Sequence, residues 1–509
     1  MQSFPQRLPA VGPAREALRE KGQFWTPDWI AQAMVSYVLQ GETDHIFDPA
    51  VGAGAFFKAA KVLGERLDRR VELLGAEIDD AALQQATQNG LTTADLASVQ
   101  ISNFVLHPPT RHFSAIVANP PYIRHHRLPA EAKTYLKAYS ANLLGAALDG
   151  RAGLHIYFLL RALQLLGPDG RLAFIMPADT CEGVFARPLW QWITQRYHLE
   201  AVVTFTPTAS PFPQVDTNPL IFLLRNRQPA SDFWWAQCTQ AETGQLQTWI
   251  GSGFSAVPDG PLRIQRRQLR EGLATGLSRP PATERQSEIV LADLARVWRG
   301  IATGANEFFF LTSERARALE IPEEFLRLAV GRTRDVDGNT ITPQTLQQLE
   351  ASGRPTLLLS LDGRPLTELP PSVRRYLLEG ESQGLPQRPL IAQRRPWYKM
   401  EVRAVPPFLF AYLGRRNARF IRNTAGVMPL TGFLCVYPHQ SDPAFLEKLW
   451  GVLTHPDTIA NLALVGKSYG AGAIKVEPRA LERLPIPTSA LSAAGLEAAK
   501  QYRQATLFS

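Results

Sequence analysis

Cysteine is scarce in this chain. Its 509 residues hold three, Cys181, Cys238 and Cys435, far apart and in no Cys-x-x-Cys or Cys/His pairing. That excludes a disulfide framework and a cysteine-rich zinc site, and a reduced, cytoplasmic chain with no bound metal is the expectation. Long apolar runs are lacking too. The most apolar helical stretch, "LHIYFLLRALQLLG", is short and interrupted by Arg161, so it reads as a core helix and not a membrane span. The opening "MQSFPQRLPAVGPAREALREKG" has no apolar core of a secretory signal. Gly466-Lys467-Ser468 is not the end of a P-loop, because Asn461 stands where that motif needs its first glycine. There is no internal repeat, no low-complexity tract and no nuclease-like cluster of acids with lysine. Acidic residues are in deficit: 46 against 54 lysines and arginines, a net charge of +8. That balance suits an anionic partner without identifying one. What is present, 45% hydrophobic and 20% charged residues, is globular, and the length calls for two or three domains.

Strand and helix patterns alternate through the first half. "HIFDPA", "VELLGAEIDD", "FSAIVANPPY" and "RLAFIMPA" read as strands. Between them, "VGAGAFFKAAKVLGERL", "AALQQATQNG" and "GLHIYFLLRALQLLGPDG" read as helices. The alternation predicts an α/β domain, a mostly parallel sheet covered by helices on both faces. Near residues 246–290 the composition turns to Gly, Pro, Ser and charge, which predicts a linker between domain 1–245 and domain 246–509. Beyond it, short β-type runs between Pro and Gly turns predict an irregular α+β domain, with helices mainly near "DPAFLEKLWGVLTHPDTIANLALVG".

In an open parallel sheet, ligands bind outside the carboxyl ends of the strands. Four unusual sequences fall at such ends: "DPAVGAG" (48–54), "AEID" (76–79), "SNF" (102–104) and "NPPY" (119–122). Gly52 and Gly54 allow close approach of the backbone to a ligand, and Asp48 suits an amino-acid ammonium better than a pyrophosphate. Glu77, at the tip of the next strand, is placed to accept from ribose hydroxyls, or else to cap the following helix. Asn103 and Phe104 complete an adenine site, a polar group for the amine and a ring beside the base. Ribose, adenine and a cationic amino-acid tail together describe S-adenosylmethionine. In "NPPY", the Asn119 side-chain oxygen and the Pro120 carbonyl would each accept one hydrogen bond from an adenine N6 amine. This turns the nitrogen lone pair toward the methyl group. Consecutive prolines bring no competing N–H, and Tyr122 offers a face for a flipped base. No metal or general base is needed.

With these residues in this order, the chain resembles the γ-class DNA amino-methyltransferases specific for adenine N6, and the resemblance spans nearly its whole length. It implies a Rossmann-like methyltransferase sheet with S-adenosylmethionine as cofactor and duplex DNA as substrate. "KGQFWTPDWIAQAMVSYVL" looks like the family's N-terminal cofactor segment, in which Thr26 touches the methionine end. Pro121 joins the cofactor contacts, and Phe158 matches a ring packed on the cofactor adenine. "PFPQVDTNPLIFLLR" is similar to the segment supplying a second aromatic wall for the flipped base. Phe212 is the implied residue, with Phe205 and Phe222 nearby. The family usually carries Asp where this chain has Asn103, whose amide oxygen is expected to accept from the adenine amine without the charge.

A catalytic core alone does not choose a DNA sequence, so the second half is expected to recognise the target. Residues 394–423 carry Arg394, Arg395, Arg403, Arg415, Arg416, Arg419 and Arg422 among interleaved aromatics, with Glu401 as the one acid. Such density suits phosphate contact and reading of guanine edges. "VGKSYGAGAIKVEP", with Lys467, also looks like target-recognition domains fused to these enzymes. The resemblance implies a monomeric modification enzyme of a restriction-modification system, with any endonuclease on another chain. Two rivals remain at this stage. One is an NPPY methyltransferase acting on RNA or on a protein glutamine amide; the other is a non-catalytic recognition subunit.

Overall fold

The computed structural model describes residues 25–182, 185–212, 217–280, 289–411, 418–469 and 473–496. Two compact units divide the chain, the first of residues 1–281 with 468–472 and the second of residues 282–467 with 473–509. The first unit is built on one nine-stranded sheet. Its strands are β1 (His45–Asp48), β2 (Glu72–Glu77), β3 (Val99–Ile101), β4 (Phe113–Ala118), β5 (Leu166–Pro177), β6 (His198–Phe205), β7 (Pro219–Arg225), β8 (Asp232–Cys238) and β9 (Leu262–Gln268). They lie in the order β3-β2-β1-β4-β5-β7-β6-β8-β9. From β3 to β5 every pairing is parallel, while β7 runs antiparallel between β5 and β6.

A sheet covered on both faces needs strands that are apolar on both sides. β4 meets that need: Phe113, Ile116 and Ala118 enter one core with Phe47, Phe104 and Phe174. Ala115 and Val117 enter the other with Ile30, Met34 and Phe57. The chain leaves β1 toward β2 and β3 on one side, and β4 and β5 extend the sheet on the other. The reversal opens a crevice at the carboxyl ends of β1 and β4, where ligands collect in such sheets.

The predicted linker is folded over most of its length. Residues 245–280 contribute the helices Gln245–Gly251 and Leu269–Thr275 and the edge strand β9, which pairs antiparallel with β8; residues 281–288 lie outside the described residues. β9 reads "LRIQRRQ" and buries only Leu262 and Arg267, so hydrophobic periodicity gives no sign of it. Its organiser is polar. The Arg267 side chain, 2% exposed, donates to the carbonyls of Gly276 (2.9 Å), Leu277 (3.3 Å) and Arg279 (2.6 Å). It also pairs with Glu271.

In the second unit, strands Ala295–Arg299, Phe433–Pro438, Phe408–Ala411, Arg419–Asn423 and Thr340–Ile341 form a five-stranded sheet. Helix Pro443–Thr454 lies on its core. Two helices that the sequence reading overlooked, Pro343–Ala351 and Pro371–Ser382, each begin with proline in the first turn, where its missing N–H costs nothing. Among the described residues no helix is long and apolar enough to cross a membrane.

Candidate active site

A cavity of about 350 Å³ occupies the crevice. Of the residues singled out by sequence, Thr26, Gly52, Glu77, Asn103, Phe104, Asn119, Pro121 and Phe158 line it. Trp25, Ile78, Ser102, Ile123 and Leu154 line it as well and were missed. Ile78 carried a usable signal: an apolar side chain directly after a strand-end acid, here 67% exposed.

The loop after β1 is shaped by its glycines. Gly54 has φ 81°, and a Cβ there would lie 2.3 Å from the Leu91 side chain. Its lack of a side chain therefore serves packing of the following helix and not ligand approach. Gly52, φ 53°, turns its N–H to Glu77 Oε2 at 2.8 Å. Glu77 Oε1 accepts from Ile78 N (2.8 Å) and Asp79 N (2.9 Å). A carboxylate has about four acceptor positions, so Glu77 keeps one, on Oε2, at the cavity wall. The cap of helix Asp80–Gln88 is Asp79, whose side chain accepts from Ala81 N, so Glu77 is not its N-cap.

Asp48 does not line the cavity, although the next two residues, Pro49 and Ala50, do. It is fully buried. Its Oδ1 accepts from Ala50 N at 3.0 Å, and its Oδ2 has no hydrogen-bond partner among the described residues. Burial, with a smaller contribution from the Glu77 charge, pushes its carboxyl up to about 8 against the opposing Ala50 hydrogen bond. A buried carboxyl held this way favours a cation nearby.

Phe104 and Phe158 form one end of the cavity, their centroids 5.3 Å apart and their planes tilted by 40°. Asn103 corrects the expectation placed on it. Its Oδ1 accepts from Val105 N (3.1 Å) and Leu106 N (3.2 Å). The oxygen assigned to an adenine amine is thus already shared by two backbone donors.

β4 stops at Ala118, just before Asn119, because Pro120 cannot donate to a ladder. Asn119 Nδ2 donates to Thr26 Oγ1 at 3.2 Å, which turns Oδ1 to the opposite side of the planar amide. The Tyr122 hydroxyl donates to the Ile175 carbonyl of β5 at 3.1 Å. Its ring meets His155 edge-on, centroids 6.0 Å apart. Burial raises its phenol well above the ordinary value, with the Asp179 charge adding to it. Neither Pro120 nor Tyr122 lines the cavity. Of the aromatic candidates, Phe222 is fully buried within the sheet core against Trp190, which removes it as a wall for an incoming base. Phe205 packs edge-on against Trp29. Phe212, 5% exposed, follows Ser210, whose Oγ accepts its N–H.

The basic stretch of the second unit is largely spent inside the fold. Arg394 is half-buried, donates to Ala302 O at 2.6 Å and lies over the Phe309 ring. Arg419 donates to the carbonyls of Gly338 (2.9 Å) and Val336 (2.8 Å). Arg403 pairs with Glu401 and Arg422 with Glu447. Arg395 is exposed, although its Nη1 donates to the carbonyls of Ala392 and Arg394. Arg415, Arg416 and the side chain of Lys467 lie outside the described residues. Density of charge in sequence overstated its availability, because carbonyls and the distant Glu447 are invisible to a local count.

Two family models match this chain. One described as N-6 DNA Methylase covers residues 13–241. The other, the C-terminal domain of Type II methyltransferase M.Eco57I, covers residues 282–507. Type II methyltransferase M.AccI of Acinetobacter calcoaceticus is 24% identical over 92% of this chain and 85% of its own length. Type II methyltransferase M.XamI of Xanthomonas campestris pv. amaranthicola is 27% identical over the same shares. Among solved structures, the Type IIL restriction-modification enzyme MmeI in complex with DNA shares the fold. Its TM-score is 0.55 at 14% identity, over 95% of this chain and 67% of that one. The RNA and protein-amide alternatives are not favoured, and the chain joins an N-6 DNA methylase domain to a C-terminal domain of the M.Eco57I kind.

Proposed function

We propose that this chain methylates adenine N6 at a specific site in duplex DNA, as the modification enzyme of a restriction-modification system, using S-adenosylmethionine bound in the β1–β4 crevice. The cofactor would supply an electrophilic methyl group on a sulfonium. The residues present fit it. Glu77 keeps one acceptor for a ribose hydroxyl, Phe104 and Phe158 offer rings to a base, and the Asp48 oxygen that has no partner among the described residues favours a cationic tail. Thr26 would stand at the methionine end.

Asn119 carries the reading. Its amide is held by Thr26 at the rim of the cavity, with Oδ1 turned away from that bond. There Oδ1, with the Pro120 carbonyl, would take the two hydrogens of a flipped adenine amine. Both acceptors favour a pyramidal nitrogen over the planar, delocalised one, and the amine proton becomes acidic as the new N–C bond forms. Tyr122, pinned through its hydroxyl, would flank the base. The C-terminal domain would read the DNA sequence. Replacing Asn119 by Ala tests the assignment: methyl transfer to duplex DNA is lost while calorimetric binding of S-adenosylmethionine persists. Loss of binding with the fold intact would instead place Asn119 in the cofactor site.

A further inference from the structure

Asn103 follows β3 in a turn that fixes the orientation of its amide. Its Oδ1 lies 3.1 Å from Val105 N and 3.2 Å from Leu106 N. Exchanging oxygen and nitrogen would set an NH2 group against two N–H donors, which is repulsive, so hydrogen-bond chemistry settles the orientation. An amide oxygen has two acceptor positions; Val105 N–H takes one, and Leu106 N–H is shared between the other and the Asn103 backbone carbonyl, 3.1 Å away. The other arm of the amide, Nδ2, has hydrogens to give and nothing with which to accept. Asn103 lines the cavity beside Phe104 and Phe158. What its side chain offers to a bound base is therefore a donor.

An adenine base carries both kinds of group: an exocyclic amine that donates, and ring nitrogens that accept. We propose that Asn103 holds the cofactor's base by donating from Nδ2 to a ring nitrogen, and that it makes no bond to the exocyclic amine. This rests on the cofactor reading given above. A carboxylate at the same position would differ in kind. One of its oxygens would serve the Val105 and Leu106 N–H groups, and the other would accept from the amine. The amide thus inverts the polarity of this part of the cavity while keeping the same turn. Specificity for the base then comes from a ring acceptor.

The test is a binding cycle that needs no turnover. Calorimetry with the full chain would compare S-adenosylhomocysteine with its 1-deaza, 3-deaza, 7-deaza and 6-deamino analogues. The proteins are the parent, Asn103→Asp, which keeps the turn acceptor, and Asn103→Ala. One deaza analogue should cost the parent at least about fivefold in affinity, the size of one neutral hydrogen bond. That loss should shrink to under about twofold in both variants. Removal of the 6-amino group should cost the parent and Asn103→Ala the same, and should cost Asn103→Asp more. A 6-deamino penalty larger in the parent than in Asn103→Ala would overturn the proposal. So would deaza penalties that are equal in all three proteins. Failure of the folded parent to bind S-adenosylhomocysteine at all would overturn the cofactor reading first, and this inference with it.

Discussion

Replacing Asp48 by Asn should stabilise the protein, and by an amount that depends on pH. In the folded chain the Asp48 carboxyl is fully buried and titrates near 8 instead of 3.8. Its folded pKa is raised, so between those values the folded state binds a proton that the unfolded state has lost. Stability therefore falls as pH rises through this window. At about 1.4 kcal/mol per pH unit, the cost is small near pH 3, reaches roughly 4 kcal/mol at pH 7, and levels off above pH 8. Asn is the right replacement because the neutral acid and the amide share a shape. Its Oδ1 can still accept from Ala50 N, and the position of Oδ2 had no partner among the described residues to lose. Urea unfolding of parent and variant at a series of pH values would read the difference. The two should nearly coincide at pH 3–4, and the variant should become more stable by about 3 kcal/mol or more toward pH 8. A gap that stays constant from pH 4 to pH 8 would refute the argument, because it would mean that Asp48 titrates alike in both states.

The same residue links to the ligand: at pH 7 cofactor binding by the parent should release a proton, and binding by Asp48→Asn should not, as calorimetry in buffers of different ionisation enthalpy would read. Glu77→Ala should weaken cofactor binding by about 1–3 kcal/mol, since charge-assisted bonds to ribose are lost, and unchanged affinity would leave Glu77 as a brace for the Gly52 and Asp79 amides alone. Arg267→Ala strands the carbonyls of Gly276, Leu277 and Arg279, and should lower the stability of the first unit by about 3–5 kcal/mol in thermal unfolding. For DNA affinity the two kinds of arginine should separate. Arg395→Ala should flatten the salt dependence of DNA binding by about one phosphate contact, whereas Arg419→Ala should reduce stability and leave the salt slope unchanged.

Much of the catalytic half was determined by local chemistry. An apolar strand that ends in acid, glycine or proline has few folding outcomes, so "DPAVGAG", "AEID" and "NPPY" mark the strand ends of β1, β2 and β4 in the sequence alone. Apolar runs and period-3.6 patterns carried the parallel sheet, because each element must bury one face or both. Other features depend on partners distant in sequence. Phe222 was removed as a candidate by which side of β7 faces Trp190. Asp48 was expected as a direct ligand, and only the fold buried it completely and left it out of the cavity wall. Strand β9 and its neighbouring helices escaped notice because a buried arginine organises them, and polar organisers leave no hydrophobic period. The arginines of 394–423 looked free because a sequence shows neither the Val336 and Gly338 carbonyls nor Glu447. Asn103 is the sharpest case. Its identity was plain from the start, but whether it accepts or donates was decided by where the Val105 and Leu106 amides point. A hydrogen bond is directional, and direction belongs to the tertiary structure.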